Sequence, residues 1–278
     1  MSDPAPFQTL TTLTSISDWE YGATIGPLWT IGPKVHGGAL LAVAAAAARQ
    51  AVRDHDSALL WMQPVAASAD FLSAPVPGEV ILRVITRKIG RQIATLDTEV
   101  WQGTKLCARA VVTMGALDDA PVRQMVDGSH MPAEPDESAL KYDGPMSDIV
   151  HLSQVTHMRM DSTSAHFLKG ETGDPTIRLW ARLFEADEHD EDNAVLFGFV
   201  LGDMSPPVVF NLGEFGWSPT VQLTAFIRRH PAKGWFRVVS STQSVGSALF
   251  DEDHLVFDST GAVVAQSRQL ALWPRRQG

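Results

Sequence analysis

One acidic side chain, Asp203, directly follows a nearly continuous apolar segment, which predicts a helix over about residues 190–202. At helical spacing, Asp203 shares a face with Leu196, Phe199 and Val200. A carboxyl group in line with core positions must be hydrogen-bonded, paired or held there for function. The negative end of the helix dipole would raise its pKa and its basicity. The same pattern also fits an aspartate that ends the helix in solvent.

A glutamine lies on the small, apolar face of the last predicted strand, over about residues 262–273. Alternation places Gln269 on this face together with Ala265, Ser267 and Ala271. A buried amide at this position could orient a water molecule or donate to a carbonyl oxygen. A structural glutamine satisfied by the backbone is the alternative interpretation.

A threonine, Thr220, begins another predicted strand, over about residues 219–229. Alternation assigns it to the face of Gln222, Thr224 and Phe226. A strand threonine is usually no more than a good strand former. Its hydroxyl therefore gains a chemical meaning only if folding brings the aspartate and the glutamine beside it.

Two adjacent glycines, Gly37 and Gly38, open an alanine-rich segment that predicts a helix from His36 to about Arg53. Glycines let a ligand approach the backbone closely, and N–H groups at a helix start could polarise a carbonyl or bind an anion. His36 would lie at the mouth of such a site. A histidine here without a visible acidic partner is more typical of a cap or a surface residue than of a base.

Several reaction classes lose support from the sequence. The single cysteine, Cys107, excludes an intramolecular disulfide and a cysteine zinc cluster, and its strand-like surroundings favour an inert core thiol. There is no G-x-S-x-G nucleophile elbow, and no HExxH, P-loop or Rossmann glycine motif. We therefore expect neither a metal nor a cofactor.

The composition is that of a globular protein. The chain has 278 residues, 45% of them hydrophobic, and 22 basic against 32 acidic side chains give a net charge of −10. No basic stripe suits a nucleic-acid backbone, so we expect no nucleic-acid partner. The start lacks the features of a secretory signal, and no apolar run reaches the roughly 20 residues of a membrane span. We therefore expect a cytoplasmic protein without membrane insertion.

Two halves of the chain carry the same pattern. Phe71 aligns with Phe226, and Gly90 with Gly246 after one residue of slippage, which suggests a duplicated unit. Each half is predicted to contain one helix and a run of long strands. The strands lie over about residues 58–73, 78–89, 92–102 and 104–116 in the first half, and 154–163, 175–186, 219–229, 234–245, 247–258 and 262–273 in the second. The predicted fold class is α+β, with each long helix lying on a curved antiparallel sheet.

The segment between the halves reads as a linker. It mixes Pro, Asp, Gly, Ser and Met without sustained periodicity. We therefore predict an N-terminal domain over 1–117, a linker over 118–152 and a C-terminal domain over 153–278, which carries Asp203, Thr220 and the glutamine.

These features together resemble a double hotdog protein of the acyl-CoA thioesterase II family, over nearly the whole length. In the first half the resemblance rests on HGGALL, ADFLSAPVPGEV, RKIGRQ and VWQGTKLCARA. In the second half it rests on LGDMSPP, SPTVQLTAFIRR, FDSTGAVVAQSRQLAL and the turn at Lys233-Gly234-Trp235. The first helix of the family usually opens Phe-Gly-Gly-Gln, whereas this chain has His36-Gly37-Gly38-Ala39.

The resemblance implies a catalytic set of Asp203, Thr220 and Gln269 and an acyl-CoA substrate, hydrolysed to free fatty acid and CoA without a covalent intermediate. Asp203 would deprotonate a water that Thr220 and Gln269 hold by hydrogen bonds. Backbone N–H groups around Gly38 would stabilise the oxyanion. His36 and Gly37 complete the expected substrate-binding residues at this helix start, and a homodimer is the expected assembly.

A basic cluster in the first half is the expected contact for the CoA phosphates. It comprises Arg87, Lys88 and Arg91. A solvated strand edge is the alternative interpretation of these three side chains.

Two other functions remain open on the same fold. An enoyl-CoA hydratase or dehydratase would need an Asp and a His as paired acid and base, and no histidine lies near Asp203 in the sequence. A non-catalytic acyl-CoA or lipid-binding protein would need none of the three polar side chains to act.

Overall fold

A computed structural model describes residues 4–121 and 129–275. Its helices are α1 (Pro6–Thr11), α2 (Gly37–His55) and α3 (Glu191–Leu201). The strands of the first half are β1 (Thr14–Ser17), β2 (Glu20–Ile25), β3 (Thr30–Ile31), β4 (Lys34–Val35), β5 (Gln63–Phe71), β6 (Gly78–Ile89), β7 (Ala94–Gln102) and β8 (Lys105–Gly115). The later strands are β9 (Leu140–Lys141), β10 (His157–Met160), β11 (Thr176–Arg182), β12 (Thr220–Ile227), β13 (Phe236–Ser241), β14 (Leu249–Phe257) and β15 (Val263–Leu272).

Thirteen of these strands form one antiparallel sheet, and β3 and β4 form a separate hairpin. The order in the sheet is β1-β2-β6-β7-β8-β5-β12-β15-β14-β13-β11-β10-β9. The pairing of β5 with β12 joins the two halves, for example at Ala67 and Ala225. In each half, four strands follow the long helix, and the first of them pairs with the fourth. These pairs are β5 with β8 and β12 with β15. The topology therefore repeats, as the sequence pattern predicted.

Helices α2 and α3 pack side by side in opposite directions on the inner face of the sheet. Alanine favours the helix and leaves little side-chain volume, so the run within α2 lies fully buried against its neighbours. The start of α2 contacts the end of α3, because a Cβ added at Gly38 would lie 2.9 Å from the carbonyl oxygen of Phe199 and from Val200 Cα. A glycine is thus what allows this close approach.

An ionic cluster joins the opposite ends of the two helices. Asp192, in the first turn of α3, accepts from Arg53 Nη1 at 2.7 Å and from Gln63 Nε2 at 2.6 Å, and Arg49 lies 3.4 Å away. Burial alone would raise the pKa of Asp192, but the hydrogen bond from Arg53 and the charge of Arg49 lower it to about 2. The two helices are therefore clamped at this end by charge.

Most predicted elements are confirmed, and the differences are local. The strand predicted from residue 58 begins at Gln63, because Asp56 caps a short 3-10 turn before it. The strand predicted over 154–163 shortens to β10, after a 3-10 turn at His151–Gln154. Helix α1 and the β1–β2 hairpin were not anticipated by the sequence pattern.

The predicted linker is irregular in its described parts. It contains β9, which pairs with β10, and a 3-10 turn at Gly144–Met146. Residues 122–128 of this predicted linker lie outside the described residues. Across the ranges that the structure describes, every helix is too short or too polar to traverse a lipid bilayer.

Candidate active site

Asp203 lies in the turn after α3 and faces the start of α2. Its Oδ2 accepts a hydrogen bond from the N–H of Gly38 at 2.6 Å, and its side chain is only 7% exposed. The interpretation of Asp203 as a solvent-exposed helix end is therefore wrong. The carboxyl group is buried between the end of one helix and the beginning of the other.

The two glycines at the start of α2 make this approach possible. A Cβ added at Gly37 would lie 2.7 Å from Asp203 Oδ2 and 3.2 Å from the ring of Phe71. One at Gly38 would lie 3.0 Å from Asp203 Cβ. Of the backbone N–H groups expected around Gly38 to stabilise an oxyanion, that of Gly38 itself donates to the Asp203 carboxylate. The oxyanion role of this helix start stays a prediction.

His36 braces the same junction. It is the N-cap of α2, where Nδ1 accepts from the N–H of Ala39 at 3.3 Å. Its Nε2 lies 2.8 Å from the carbonyl oxygen of Asp203, which makes Nε2 the protonated nitrogen, and 3.5 Å from Asp203 Oδ2. Both ring nitrogens are therefore engaged in holding α2 against the aspartate. Folding thus brings a histidine beside Asp203 although the two lie far apart in sequence.

A β-bulge turns Thr220 toward Asp203 and Gln269. Thr220 pairs with Ala271, but Gln222 pairs with Leu270, so Val221 is an extra residue in β12. The alternation that put Thr220 on the face of Gln222 is therefore wrong, because the bulge reverses the phase. The Thr220 hydroxyl donates to Gln269 Oε1 at 2.8 Å, and it faces the Asp203 carboxyl group closely enough to lower its pKa.

Gln269 is buried and held by side chains. Its Oε1 accepts from Thr220, and its Nε2 donates to Glu252 Oε2. The alternative that the backbone satisfies this amide is wrong. Thr220 therefore links Gln269 to Asp203 on one side, and Gln269 links Thr220 to Glu252 on the other.

Glu252 is the member of this chain of groups that sequence reasoning missed. It lies directly opposite Gln269 in the β14–β15 ladder, and it is 1% exposed. Its Oε1 accepts from the N–H of Val208 at 2.6 Å. The signal was present in the alternation of β14, where Glu252 shares the inner face with Phe250 and Val256.

The two carboxyl groups of the site are both made more basic by burial. Burial raises the pKa of Asp203, against the lowering effects of His36, the Gly38 N–H and the Thr220 hydroxyl. Burial raises the pKa of Glu252 to about 8, and the negative charge of Asp203 adds to this increase. The site therefore holds two coupled, buried acids connected by a hydroxyl and an amide.

A buried histidine lies next to Glu252 along the inner face of β14. His254 Nε2 lies 2.9 Å from the hydroxyl of Ser205 and 3.3 Å from that of Ser240. Burial lowers the pKa of His254 to about 4, so its imidazole is neutral at physiological pH. Within the described residues, no three His, Cys, Asp or Glu side chains converge as the ligands of a metal ion would.

Of the basic cluster expected to hold CoA phosphates, Arg87 is already paired. Its Nε and Nη2 donate to Asp97 Oδ2 at 3.0 and 2.7 Å, and Arg109 donates to the same oxygen at 3.3 Å. The pairing raises the pKa of Arg87 and anchors its guanidinium on the outer face of the sheet.

The cluster also lies far from Asp203 along the strand direction, near the opposite ends of the strands. Through the ladders of β7 and β8, Leu82 is level with Phe71, whose ring lies beside Gly37. Lys88 is six residues farther along β6, which is about 20 Å at 3.3 Å per residue, and Arg91 lies beyond it. The assignment of these residues to CoA stays a prediction.

The arrangement suits general-base chemistry. A buried carboxylate of raised basicity is joined to a hydroxyl group, and the side chain of that hydroxyl is oriented by a fixed amide. Such a set can hold a water molecule by several hydrogen bonds and take a proton from it.

Two family models match most of the chain. The model for the acyl-CoA thioesterase N-terminal domain matches residues 25–115, and the model for the C-terminal domain matches residues 127–273. An uncharacterized protein of Mycobacterium tuberculosis and one of Mycobacterium bovis are each 40% identical to this chain, over 88% of it and 88% of their own length. The sequence similarity therefore spans both halves.

Solved structures share the fold over almost the full length. A candidate thioesterase II of Thermobifida fusca has a TM-score of 0.84 at 24% identity, covering 99% of this chain and 100% of its own. A hot dog fold protein of unknown function from Alicyclobacillus acidocaldarius has a TM-score of 0.77 at 17% identity, covering 98% of each chain. An acyl-CoA thioesterase II of Mycobacterium marinum has a TM-score of 0.70 at 15% identity, over 98% of this chain and 99% of its own. At these identities the likeness shows the fold alone.

Proposed function

The chain belongs to the acyl-CoA thioesterase family, and from this premise we propose that it hydrolyses acyl-CoA thioesters to free fatty acid and CoA, with Asp203 as the general base. The observation that carries the proposal is the placement of Asp203. Its carboxyl group is buried, has a raised pKa, and is joined through Thr220 to Gln269. A base of raised pKa accepts a proton more readily near neutral pH than an exposed aspartate does.

In the proposed reaction, a water molecule lies between Asp203 and Thr220 and donates one hydrogen bond to each. Asp203 takes its proton as the water oxygen bonds to the thioester carbonyl carbon, and a tetrahedral oxyanion forms. The N–H of Gly37, at the first position of α2, belongs to the set that a helix leaves without intrahelical partners, and it would stabilise this charge. The carbon–sulfur bond then breaks, and Asp203 returns the proton to the CoA thiolate.

We extend the proposal to the architecture as two hot dog units in tandem, over residues 1–117 and 153–278, with 118–152 between them. The repeated strand order on both sides of the β5–β12 junction supports two such units. The separate family models for the N- and C-terminal domains support two units as well, and the C-terminal model, over residues 127–273, takes most of 118–152 into the second unit.

A second candidate, an acyl-CoA hydratase or dehydratase, draws support from one distance. His36 Nε2 lies 3.5 Å from Asp203 Oδ2, which is the Asp–His proximity that such chemistry requires. Both ring nitrogens of His36 are engaged, however, one by the N–H of Ala39 and one by the carbonyl oxygen of Asp203. Because neither is free to exchange a proton with substrate, hydrolysis is the better supported function.

The proposal is tested by measuring free thiol released from acyl-CoA of several chain lengths. Cys107 is buried, so a thiol reagent reports CoA rather than the protein. We expect Asp203→Asn to lower kcat by about 10²–10⁴-fold with little change in KM. Asp253→Asn, at a half-buried position paired with Arg268, is the matched control and should behave as wild type.

Each rival function gives a different product. Release of no thiol, together with saturable acyl-CoA binding, would identify a binding protein. A hydroxyacyl product with an intact thioester would identify a hydratase, and in that case His36→Gln should abolish turnover.

A further inference from the structure

We propose that Glu252 is a positioning residue for this hydrolysis, and that its charge decides whether Thr220 donates its one hydroxyl proton toward Gln269 or toward Asp203. The inference rests on the proposed function. It concerns a side chain that touches neither the water nor the thioester and acts through two intervening groups.

The geometry makes Glu252 the fixed end of the chain of hydrogen bonds. It is opposite Gln269 in the ladder of β14 and β15, and its two oxygens have separate partners. Oε1 accepts from the N–H of Val208 at 2.6 Å, and Oε2 accepts from Gln269 Nε2. Because a backbone N–H is always a donor, Glu252 Oε1 stays an acceptor, and only Oε2 is free to change its role.

An ionised Glu252 sets one direction along the chain. Its Oε2 accepts from Gln269 Nε2, so Gln269 presents Oε1 to Thr220, which donates to it over 2.8 Å. The Thr220 proton is then committed away from Asp203. The Thr220 oxygen remains free to accept a hydrogen bond from water, and Asp203 keeps its full basicity.

A protonated Glu252 sets the opposite direction. Its Oε2 donates, so the Gln269 amide must turn over and present Oε1 to Glu252 and Nε2 to Thr220. Thr220 must then turn its proton away from Gln269 and toward the Asp203 carboxyl group, whose pKa it influences. A hydrogen bond donated to a carboxylate lowers its basicity, so the general base is weaker in this state.

The surroundings of Glu252 set the pH range in which it ionises. The charged groups that act on Glu252 are Asp203, from the turn after α3, and Asp251, from its own strand. Both are acids, and with burial as the largest cause they raise the pKa of Glu252 to about 8. His36 acts on the far side of Asp203, and His254, on the same inner face, is neutral in this range. Turnover should therefore rise as Glu252 ionises.

The variant Glu252→Gln tests the direction of the chain. A glutamine there accepts from Val208 through its oxygen and donates to Gln269 through its nitrogen. It therefore keeps the hydrogen bonds in the direction set by protonated Glu252 at every pH. We expect kcat at about pH 9 to fall about tenfold, the effect of one lost hydrogen bond of about 1.4 kcal/mol, with KM within about twofold of wild type. The rise in kcat near pH 8 should vanish, and the remaining acid limb, which belongs to Asp203, should keep its wild-type position because Glu252 is already protonated where Asp203 titrates.

One control variant makes the kinetic result specific. Asp253→Asn removes the next acid of β14, which lies on the outer face beside Arg268, and should keep the wild-type pH profile. A Glu252→Gln enzyme with wild-type kcat over the whole pH range would overturn the proposal. So would a change confined to KM.

A spectroscopic measurement separates this inference from the hydrolase assignment. In wild-type protein, the side-chain amide signals of Gln269, identified by their loss in Gln269→Glu, should shift with pH with the midpoint of Glu252, and should stay still in Glu252→Gln. If these signals titrate but no acyl-CoA is hydrolysed, the hydrolase proposal fails and the coupling stands. If hydrolysis occurs and the signals do not move, the role of Glu252 is refuted, whether or not the variant folds.

Discussion

The hydroxyl of Thr220 lies 2.8 Å from Gln269 Oε1 because Val221 is an extra residue in β12. The bulge puts Val221 outward, 36% exposed, and turns Thr220 to the inner face next to Asp203. Bulges commonly re-aim side chains beside active sites. Here one inserted residue determines which side chain of the strand reaches the base.

The bulge predicts which position of β12 must carry the hydroxyl. Thr220→Val should lower kcat about 10²-fold, since it removes a polar group that holds the water, and Thr220→Ser should retain most activity. In the double variant Thr220→Val/Val221→Thr, the new hydroxyl should point to solvent and restore nothing. Steady-state kinetics of the three variants checks this, and recovery in the double variant would show that the strand pairs without a bulge.

The burial of Asp203 predicts a gain in stability when its charge is removed. Its folded pKa lies above the unfolded value, so its stabilising contribution is complete at low pH and is lost as pH rises through the folded pKa. Asp203→Asn keeps an acceptor for the N–H of Gly38 and carries no charge. We expect its melting temperature to exceed that of wild type by at least about 2–4 °C at pH 8, with a smaller difference at pH 5.

Thermal unfolding at both pH values checks this prediction. Asp203→Ala is the contrasting variant, because it leaves the Gly38 N–H without its acceptor and should be less stable than Asp203→Asn. An Asp203→Asn protein less stable than wild type at pH 8 would contradict the assignment of a buried carboxylate of raised pKa.

Much of the fold was predictable because its signals are local. Strand alternation and turn glycines such as Gly78 and Gly103, both with positive φ, gave the bounds of β6 and β7 to within two residues. The helix α2 was equally visible, since its alanines and its glycine start are contiguous. Helix α1 and the β1–β2 hairpin were missed because they are short and carry weak periodicity.

The site was only half predictable because its geometry is not local. Asp203 and Gln269 could be singled out by residue type on an apolar face. The bulge at Val221 depends on how β12 registers against β15, and strand alternation alone gave the wrong face. Glu252 acquires its meaning from pairing with Gln269, and the Gly38 N–H from the packing of two helices far apart in sequence.

The contact between α2 and α3 predicts a severe effect of one methyl group. Gly38→Ala would place a Cβ 2.9 Å from the carbonyl oxygen of Phe199 and from Val200 Cα, which are backbone atoms and cannot rotate away. We expect a loss of roughly 1–3 kcal/mol in the free energy of unfolding, as for overpacked cores, together with loss of turnover as Asp203 is displaced. Gly26→Ala is the matched control, since its Cβ would meet nothing closer than 4.0 Å. Chemical denaturation that finds the two variants equally stable would rule out the close helix contact.

The ionic cluster at the other end of the helices predicts how the fold responds to acid. The pKa of Asp192 is lowered from 3.8 to about 2, so its stabilising contribution is complete above pH 4 and is lost as pH falls toward 2. This shift corresponds to about 2 kcal/mol. Asp192→Asn should therefore lower the free energy of unfolding by about that much at pH 7 and by little at pH 2. Glu191→Gln, in the same helical turn but exposed, is the control and should change stability by less than about 0.5 kcal/mol at either pH. Urea unfolding between pH 2 and pH 7 measures this effect. If the loss of stability in Asp192→Asn does not become smaller in acid, the ion pairs with Arg49 and Arg53 do not stabilise the helix pair.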